Sequence, residues 1–135
     1  MDVVDAATRS RMMAGIRAKD TRPEMIVRKA LHRLGLRYRL HVKTLPGKPD
    51  LVFSKYWVAL FVHGCFWHRH NECRFAYIPK TNREFWVNKF DLNQKRDNFV
   101  FEQLHALGWR VLIVWECQIK TQSFKNLVKE IKKSS

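Results

Sequence analysis

Two apolar runs constrain the fold most strongly, because each one ends directly in side chains that are suited to chemistry. Residues 57–62 are almost continuously apolar, which is typical of a central β-strand, and they lead into His63. Residues 109–115 form a second such run, which leads through one glutamate into Cys117. A short apolar segment at residues 51–53 precedes the first run across a tight connection, so the sequence predicts a β-hairpin there.

A helix is predicted to start at Thr21. Pro23 lies in its first turn, and Glu24 follows Thr21 at the spacing of a capping box. Apolar residues then recur every three or four positions as far as Leu34, just before a glycine that can end the helix. Apolar and polar side chains alternate weakly along residues 36–42, which indicates a first strand. Glu24 has two interpretations at this point, a capping side chain or a member of an active site.

Residues 83–107 predict a long helix, with an apolar stripe that runs to its last residue. The same spacing places Asn93 and Asp97 on that stripe, where they either find partners at the edge of the core or mark a kink. Partners are the favoured interpretation, with Arg96 or a backbone group as candidates. Residues 123–133 predict a final basic helix. The order of elements indicates an α/β domain with a mixed sheet flanked by helices.

Charge indicates the kind of partner. Lys and Arg outnumber Asp and Glu by 26 to 12, and the net charge of +14 predicts attraction to a polyanion, with nucleic acid favoured. A membrane surface is the alternative, but no apolar run approaches the roughly 20 residues of a spanning helix. Residues 1–20, which contain Arg9 and Arg11, are either a loosely docked leader or a basic arm that lies along phosphates. Residues 21–135 predict a single domain.

The cysteines suit a metal better than disulfides, because three of them cannot all pair within one chain. Cys65, His70 and Cys73 lie close together, and Cys117 follows a predicted strand. Thiolate and imidazole are ligands of tetrahedral zinc, and four of them close a structural site. The sequence therefore predicts a structural Zn²⁺ that pins residues 64–80 to a strand end. The alternative is a buried thiol at Cys117 and a solvated loop.

Two histidines, His63 and His68, remain for chemistry once the zinc ligands are assigned. Asp50 opens the strand that precedes the strand of His63, so we expect Asp50 and His63 to approach each other across the hairpin. A strand-end carboxylate is suited to Mg²⁺, and a neutral imidazole beside the ion could take a proton from a water aimed at phosphorus. Asp50 also has a structural interpretation, as a cap between turn and strand.

Three aromatic residues are candidates for contact with bases. Phe66 and Trp67 stand side by side in the polar segment, and Trp86 lies near the start of the long helix. In a basic protein, exposed rings can stack on bases or wedge between them, and each stacked base contributes about 1 to 3 kcal/mol. The alternative is that these three rings fill core space.

Longer motifs resemble one family. Pro49-Asp50, VHGCFWH at residues 62–68, Glu84-Phe85-Trp86 and LGWRVLIVWEC at residues 107–117 are similar to motifs of the very-short-patch-repair (Vsr) DNA mismatch endonucleases. The resemblance covers nearly the whole chain. It implies a restriction-endonuclease-like fold and a Mg²⁺-dependent nick on the 5′ side of the thymine in a T:G mismatch, which arises when 5-methylcytosine deaminates.

The resemblance also implies roles for individual residues. Asp50 would bind magnesium, His63 and His68 would be catalytic with His68 favoured as general base, and Glu24 would be an acidic active-site residue. Val62 stands where the family commonly has threonine, which leaves a backbone carbonyl rather than a hydroxyl for magnesium. The remaining implied roles are zinc binding by Cys65, His70, Cys73 and Cys117, entry into DNA by Phe66, Trp67 and Trp86, and a DNA-gripping arm with Arg9 and Arg11.

The expected partner is double-stranded DNA with a T:G mismatch, with other mismatch-repair proteins acting around it. We expect a monomer in the bacterial cytoplasm, associated with the nucleoid. Two alternatives stay open. One is a related endonuclease with a different DNA target, and the other is a zinc-stabilised DNA-binding module without catalysis.

Overall fold

The computed structural model describes residues 21–120 and 123–133, so the predicted arm with Arg9 and Arg11 lies outside the described part. The strands are β1 (Arg39–Leu40), β2 (Leu51–Phe53), β3 (Val58–His63) and β4 (Arg110–Trp115), and the α-helices are α1 (Arg22–Arg33), α2 (Cys65–His68), α3 (Arg83–Ala106) and α4 (Phe124–Lys132). Short 3-10 turns follow β2 and β4, at Ser54–Tyr56 and Glu116–Gln118.

The four strands form one mixed sheet in the order β1-β2-β3-β4. The first three strands pair antiparallel, and Leu51 lies opposite Leu60 in the predicted β2–β3 hairpin. The β3 and β4 strands pair parallel, from Val58 opposite Arg110 to His63 opposite Trp115. The prediction of a mixed sheet with helices is therefore confirmed.

Both faces of the sheet are covered, which explains the continuous apolar run of β3. Val58 and Leu60 point into a core that includes residues of α1 and α4, whereas Ala59 and Phe61 pack on the other face. On that second face they meet Leu104 of α3. A strand buried on both sides needs apolar side chains at successive positions rather than at alternate ones.

The start of α1 follows the predicted capping pattern. The hydroxyl of Thr21 accepts the backbone N–H of Glu24 at 3.3 Å, which satisfies one of the first amides of the helix. The predicted strand at residues 36–42 is much shorter than expected, because only Arg39 and Leu40 pair with β2. His41 then adopts a left-handed backbone, with φ 46°, which ends the extended segment.

The long helix also forms as predicted, with one correction. Trp86, Phe90 and Leu104 are buried, but Leu107 is 55% exposed and does not extend the buried stripe. Leu107 lies beyond the last turn of α3, so the helical spacing no longer directs its side chain inward. Among the helices of residues 21–120 and 123–133, none combines the length and apolar character that a membrane crossing requires.

Candidate active site and metal centre

The site residues lie where the β3–β4 ladder ends. His63 and Trp115 form its last pair, and beyond them each segment leaves the sheet with metal-ligand side chains. Extended Gly64 turns the chain out of β3, and α2 begins at Cys65. On the other side, the 3-10 turn after β4 carries Cys117. The two strand ends therefore deliver the predicted site residues to one end of the sheet.

The four predicted zinc ligands come together. The ligand atoms of Cys65, His70, Cys73 and Cys117 all lie within 4.8 Å of one another, and the Cys117 sulfur is 3.3 Å from Nδ1 of His70. Zinc bonds of about 2.0 to 2.3 Å in a tetrahedron put ligand atoms roughly 3.5 Å apart, so this donor set fits the ion. Burial raises the pKa of the Cys65 thiol to about 12, because the thiolate loses the water that would stabilise its charge. A bound cation would stabilise the thiolate in place of the proton.

A second cluster contains His63, His68 and Asp97. The imidazole rings of His63 and His68 are stacked, with centroids 3.7 Å apart and planes within 8° of parallel. Nδ1 of His68, at the end of α2, lies 2.6 Å from Oδ2 of Asp97 in the middle of α3. Asn93, one turn earlier on α3, donates to the backbone carbonyl of Trp67 at 3.2 Å. These two contacts hold α2 against α3.

His63 is deeply enclosed. Its side chain packs between the rings of Phe61, Phe101 and Trp115, and the residue is 4% exposed. Burial, followed by the nearby charge of His68, lowers the pKa of His63 to about 3, so its imidazole is neutral near pH 7. Within the described residues, Nδ1 of His63 has no hydrogen-bond partner. This atom can therefore accept a further contact from water or from a ligand.

A third cluster contains Glu24, His41 and Asp50. Nε2 of His41 is 2.8 Å from Oε2 of buried Glu24, and Arg28 approaches the same oxygen at 3.4 Å. Asp50 reaches the end of β3, where its Oδ2 accepts the backbone N–H of Val62 at 2.7 Å. One ligand atom from each of Glu24, His41 and Asp50 lies within 4.8 Å of the others, which suits a cation.

Burial is also the main influence on Asp50. It raises the pKa of Asp50 from 3.8 to about 7, and the neighbouring Glu24 adds to the rise, whereas the Val62 N–H opposes it. Two carboxylates that share a buried space repel each other unless one of them binds a proton or a cation lies between them. The two carboxylates of this cluster, Glu24 and Asp50, are therefore suited to a hard divalent ion, while His41 contacts Glu24.

Sequence reasoning missed two members of these clusters. Asp97 lies on the inner stripe of α3 as predicted, but its partner is His68 and not Arg96. The expectation of a backbone partner is confirmed for Asn93. His41 is not among the residues that the sequence predicts, although a histidine at the end of a predicted strand is a signal of the kind that singles out His63.

The aromatic residues form one cluster against α3. The ring of Phe66 lies 5.0 to 5.5 Å from the rings of Trp67, Tyr77, Trp86 and Phe90. Phe66 and Trp67 are half-buried, but Trp86 is only 5% exposed. The position of Trp86 agrees with the alternative of a core role, and contact between the three aromatics and DNA stays a prediction.

Carboxylates and imidazoles gathered at one strand end, on a strongly basic chain, are the groups that a nuclease uses. Comparison with known proteins agrees, since residues 1–74 match the family model described as DNA mismatch endonuclease Vsr. The chain therefore belongs to the Vsr family of DNA mismatch endonucleases, which are DNA-cleaving hydrolases.

Several relatives in that family are similar over most of their length. The type II nicking enzyme V.XorIIP of Xanthomonas oryzae pv. oryzae is 46% identical over 87% of this chain and 86% of its own. The type II nicking enzyme V.NmeAIP of Neisseria meningitidis serogroup A is 42% identical over 97% and 96%. The DNA mismatch endonuclease Vsr of Escherichia coli (strain K12) is 44% identical over 88% and 76%.

Proposed function

We propose that this protein is a Mg²⁺-dependent endonuclease of restriction-endonuclease-like fold that nicks one DNA strand on the 5′ side of the thymine in a T:G mismatch. The proposal is carried by one observation, the His63–His68–Asp97 cluster at the end of the same strand that Asp50 contacts. It is supported by the family, whose model is described as a DNA mismatch endonuclease, and by relatives named as nicking enzymes. The step belongs to very short patch repair of deaminated 5-methylcytosine.

The carboxylates of Asp50 and Glu24 are the residues that would hold Mg²⁺, together with the backbone carbonyl of Val62. When bound, the ion would neutralise charge that develops on the scissile phosphate. Glu24 is held by His41 and Arg28, so its position is fixed before any ligand arrives. Preorganised groups of this kind do not have to reorient during the reaction.

His68 is proposed as the general base. Because Asp97 accepts the proton on Nδ1, the other ring nitrogen, Nε2, carries a lone pair that can take a proton from the attacking water. Asp97 orients the ring and stabilises the imidazolium that forms. His63 stays neutral through burial, and its flat stack fixes the plane of the His68 ring without adding a competing charge.

The zinc set has a structural role in this proposal. Cys65 and His70 flank the segment that contains Phe66, Trp67 and His68, and Cys117 ties that segment to the end of β4. A closed four-ligand site leaves no open position for a substrate. Zinc would thus hold the catalytic segment in place rather than take part in hydrolysis.

Recognition of DNA is proposed to combine charge with an aromatic wedge. A groove along α1, lined by Arg28, Lys29 and Arg33, offers cations to a phosphate backbone, and Arg9 and Arg11 would extend this contact in an N-terminal arm. The rings of Phe66 and Trp67, supported by Trp86, would enter the duplex at the mismatch. A T:G pair is deformed at lower cost than a matched pair, which favours entry there.

A nicking assay with end-labelled T:G and matched duplexes, in Mg²⁺ or EDTA, tests the proposal. We expect a single nick 5′ of the thymine in the T:G duplex with Mg²⁺ only. His68→Ala and Asp50→Ala should abolish it and retain binding, whereas His105→Ala, which changes an exposed histidine near the end of α3, should nick normally. Cutting of both duplexes would instead indicate an endonuclease with another target, and binding without cutting a DNA-binding module.

A further inference from the structure

Arg69 makes an unusual set of contacts directly after the candidate general base. One terminal nitrogen of its guanidinium donates to the backbone carbonyls of Phe66, at 3.1 Å, and Tyr77, at 3.0 Å. The other donates to the carbonyl of Ala76 at 2.6 Å. The guanidinium carbon, Cζ of Arg69, lies 3.9 Å from the centroid of the Phe90 ring, close enough for a cation–π contact with α3.

These contacts of Arg69 hold the two ends of residues 66–77 together. Phe66 precedes the predicted zinc ligands His70 and Cys73, whereas Ala76 and Tyr77 follow them. The side chain of Arg69 therefore joins the two ends of residues 66–77, called the zinc loop below, without being a ligand. Because the guanidinium also lies on Phe90, the closed loop is fixed to α3 and to the aromatic cluster. A planar group with several donors can hold three carbonyls at once, and a lysine ammonium cannot match that geometry.

The backbone at Arg69 has a conformation that residues other than glycine rarely adopt. Arg69 ends α2 in a left-handed conformation, with φ 55° and ψ 59°, which is costly for a residue other than glycine. Glycine would relieve that strain but would remove every contact of the guanidinium. Strained positions of this kind are typically held by their surroundings at functional sites.

We propose that Arg69 is a positioning residue, which fixes Phe66 and Trp67 for entry into the mismatched duplex and holds His68 in line with Asp97. The inference rests on the proposed function, because it assigns the segment to mismatch entry. Arg69 touches no reacting atom in this role. It sets the geometry of the three residues directly before it in the chain.

Three variants separate the effect of the Arg69 side-chain contacts from the effects of its backbone strain and its positive charge. Arg69→Gly removes the strain and the contacts together, and Arg69→Lys keeps the positive charge without the planar fork. Arg74→Ala is the matched control, since Arg74 belongs to the same loop and its guanidinium lies over the partly exposed ring of Phe75. Its loss removes one charge from the loop and leaves the Arg69 contacts in place.

The main readout is the fluorescence of 2-aminopurine placed beside the mismatched thymine, which rises when the base unstacks. Zinc content and affinity for a matched duplex are measured alongside it. We expect Arg69→Gly and Arg69→Lys to keep the zinc content and the affinity for a matched duplex, but to lose most of the fluorescence rise. Both variants should nick T:G DNA about 10²-fold more slowly, since small misplacements near a reaction centre have effects of that size. Arg74→Ala should match the wild type.

The outcomes distinguish this inference from the proposed function. If Trp67→Ala retains the full fluorescence rise, the aromatic wedge itself is wrong. If Trp67→Ala loses the rise and both Arg69 variants keep it, only the role of Arg69 is overturned. Loss of zinc or of matched-duplex binding in both Arg69 variants would also overturn it, because the residue would then hold the fold rather than position the aromatic pair.

Discussion

Replacing Asp97 by asparagine should slow nicking and leave DNA binding intact. The carboxylate lies 2.6 Å from Nδ1 of His68 and selects the ring tautomer with the proton on that nitrogen. An asparagine amide can present either its oxygen or its NH₂ group to the same atom. In part of the population, Nε2 of His68 would therefore carry the proton, and this nitrogen could not then act as the base.

The size of the effect follows from the surroundings of the pair. General bases contribute about 10² to 10⁴ in rate, and loss of the orienting carboxylate in a buried triad reaches the top of that range. Here the side chains of His68 and Asp97 are 29% and 21% exposed, so water screens the interaction in part. We therefore expect a loss of about 10²-fold for Asp97→Asn.

Single-turnover nicking of a labelled T:G duplex at saturating enzyme measures this loss, and fluorescence anisotropy in EDTA measures binding. Asp91→Asn is the matched control, because Asp91 lies on the same helix and its carboxylate pairs with exposed Lys95 at 2.9 Å. Nicking by Asp97→Asn within twofold of the wild type, with normal folding, would refute the role assigned to the pair. Equal losses in both variants would refute it too.

Two further predictions concern the metals. Cys117→Ser should abolish stoichiometric zinc binding and lower the melting temperature. Metal analysis and calorimetry measure both, and a normal zinc content with a normal melting temperature would contradict the assignment of Cys117 as a ligand. Since the pKa of Asp50 is raised to about 7, the folded metal-free protein binds this proton more tightly than the unfolded chain, so its stability should fall as pH rises from about 4 to about 7. Asp50→Asn should remove that fall and add about 1 to 4 kcal/mol at pH 8 in EDTA, measured by urea unfolding. An unchanged pH dependence would argue against the buried carboxylate.

Features that depend on local pattern were predictable from the sequence. The four predicted zinc ligands are recognisable because three cysteines cannot all pair in one chain and a histidine lies near two of them, and the structure brings the four residues together. The start of α1 and the hairpin follow from short-range rules of capping and apolar spacing.

Features that depend on distant contacts were not predictable in the same way. Asp97 and His68 are 29 residues apart in sequence, and helical spacing shows only that Asp97 faces inward. Arg69 resembles any surface charge in the sequence, because nothing local reveals that three carbonyls converge on it. Leu107 illustrates the reverse error, since a periodic stripe does not show where the helix ends.

The parallel pairing of β3 with β4 has a consequence for how the enzyme is made. Cys65 and Cys117, which lie beyond the ends of these strands, are 52 residues apart in the chain. Closing so large a loop is slow compared with forming a hairpin or a helix. The four predicted zinc ligands therefore come together only after β4 has been synthesised and has docked. Until Cys117 has been added, a nascent chain on the ribosome lacks the contact that ties the segment after β3 to the end of β4.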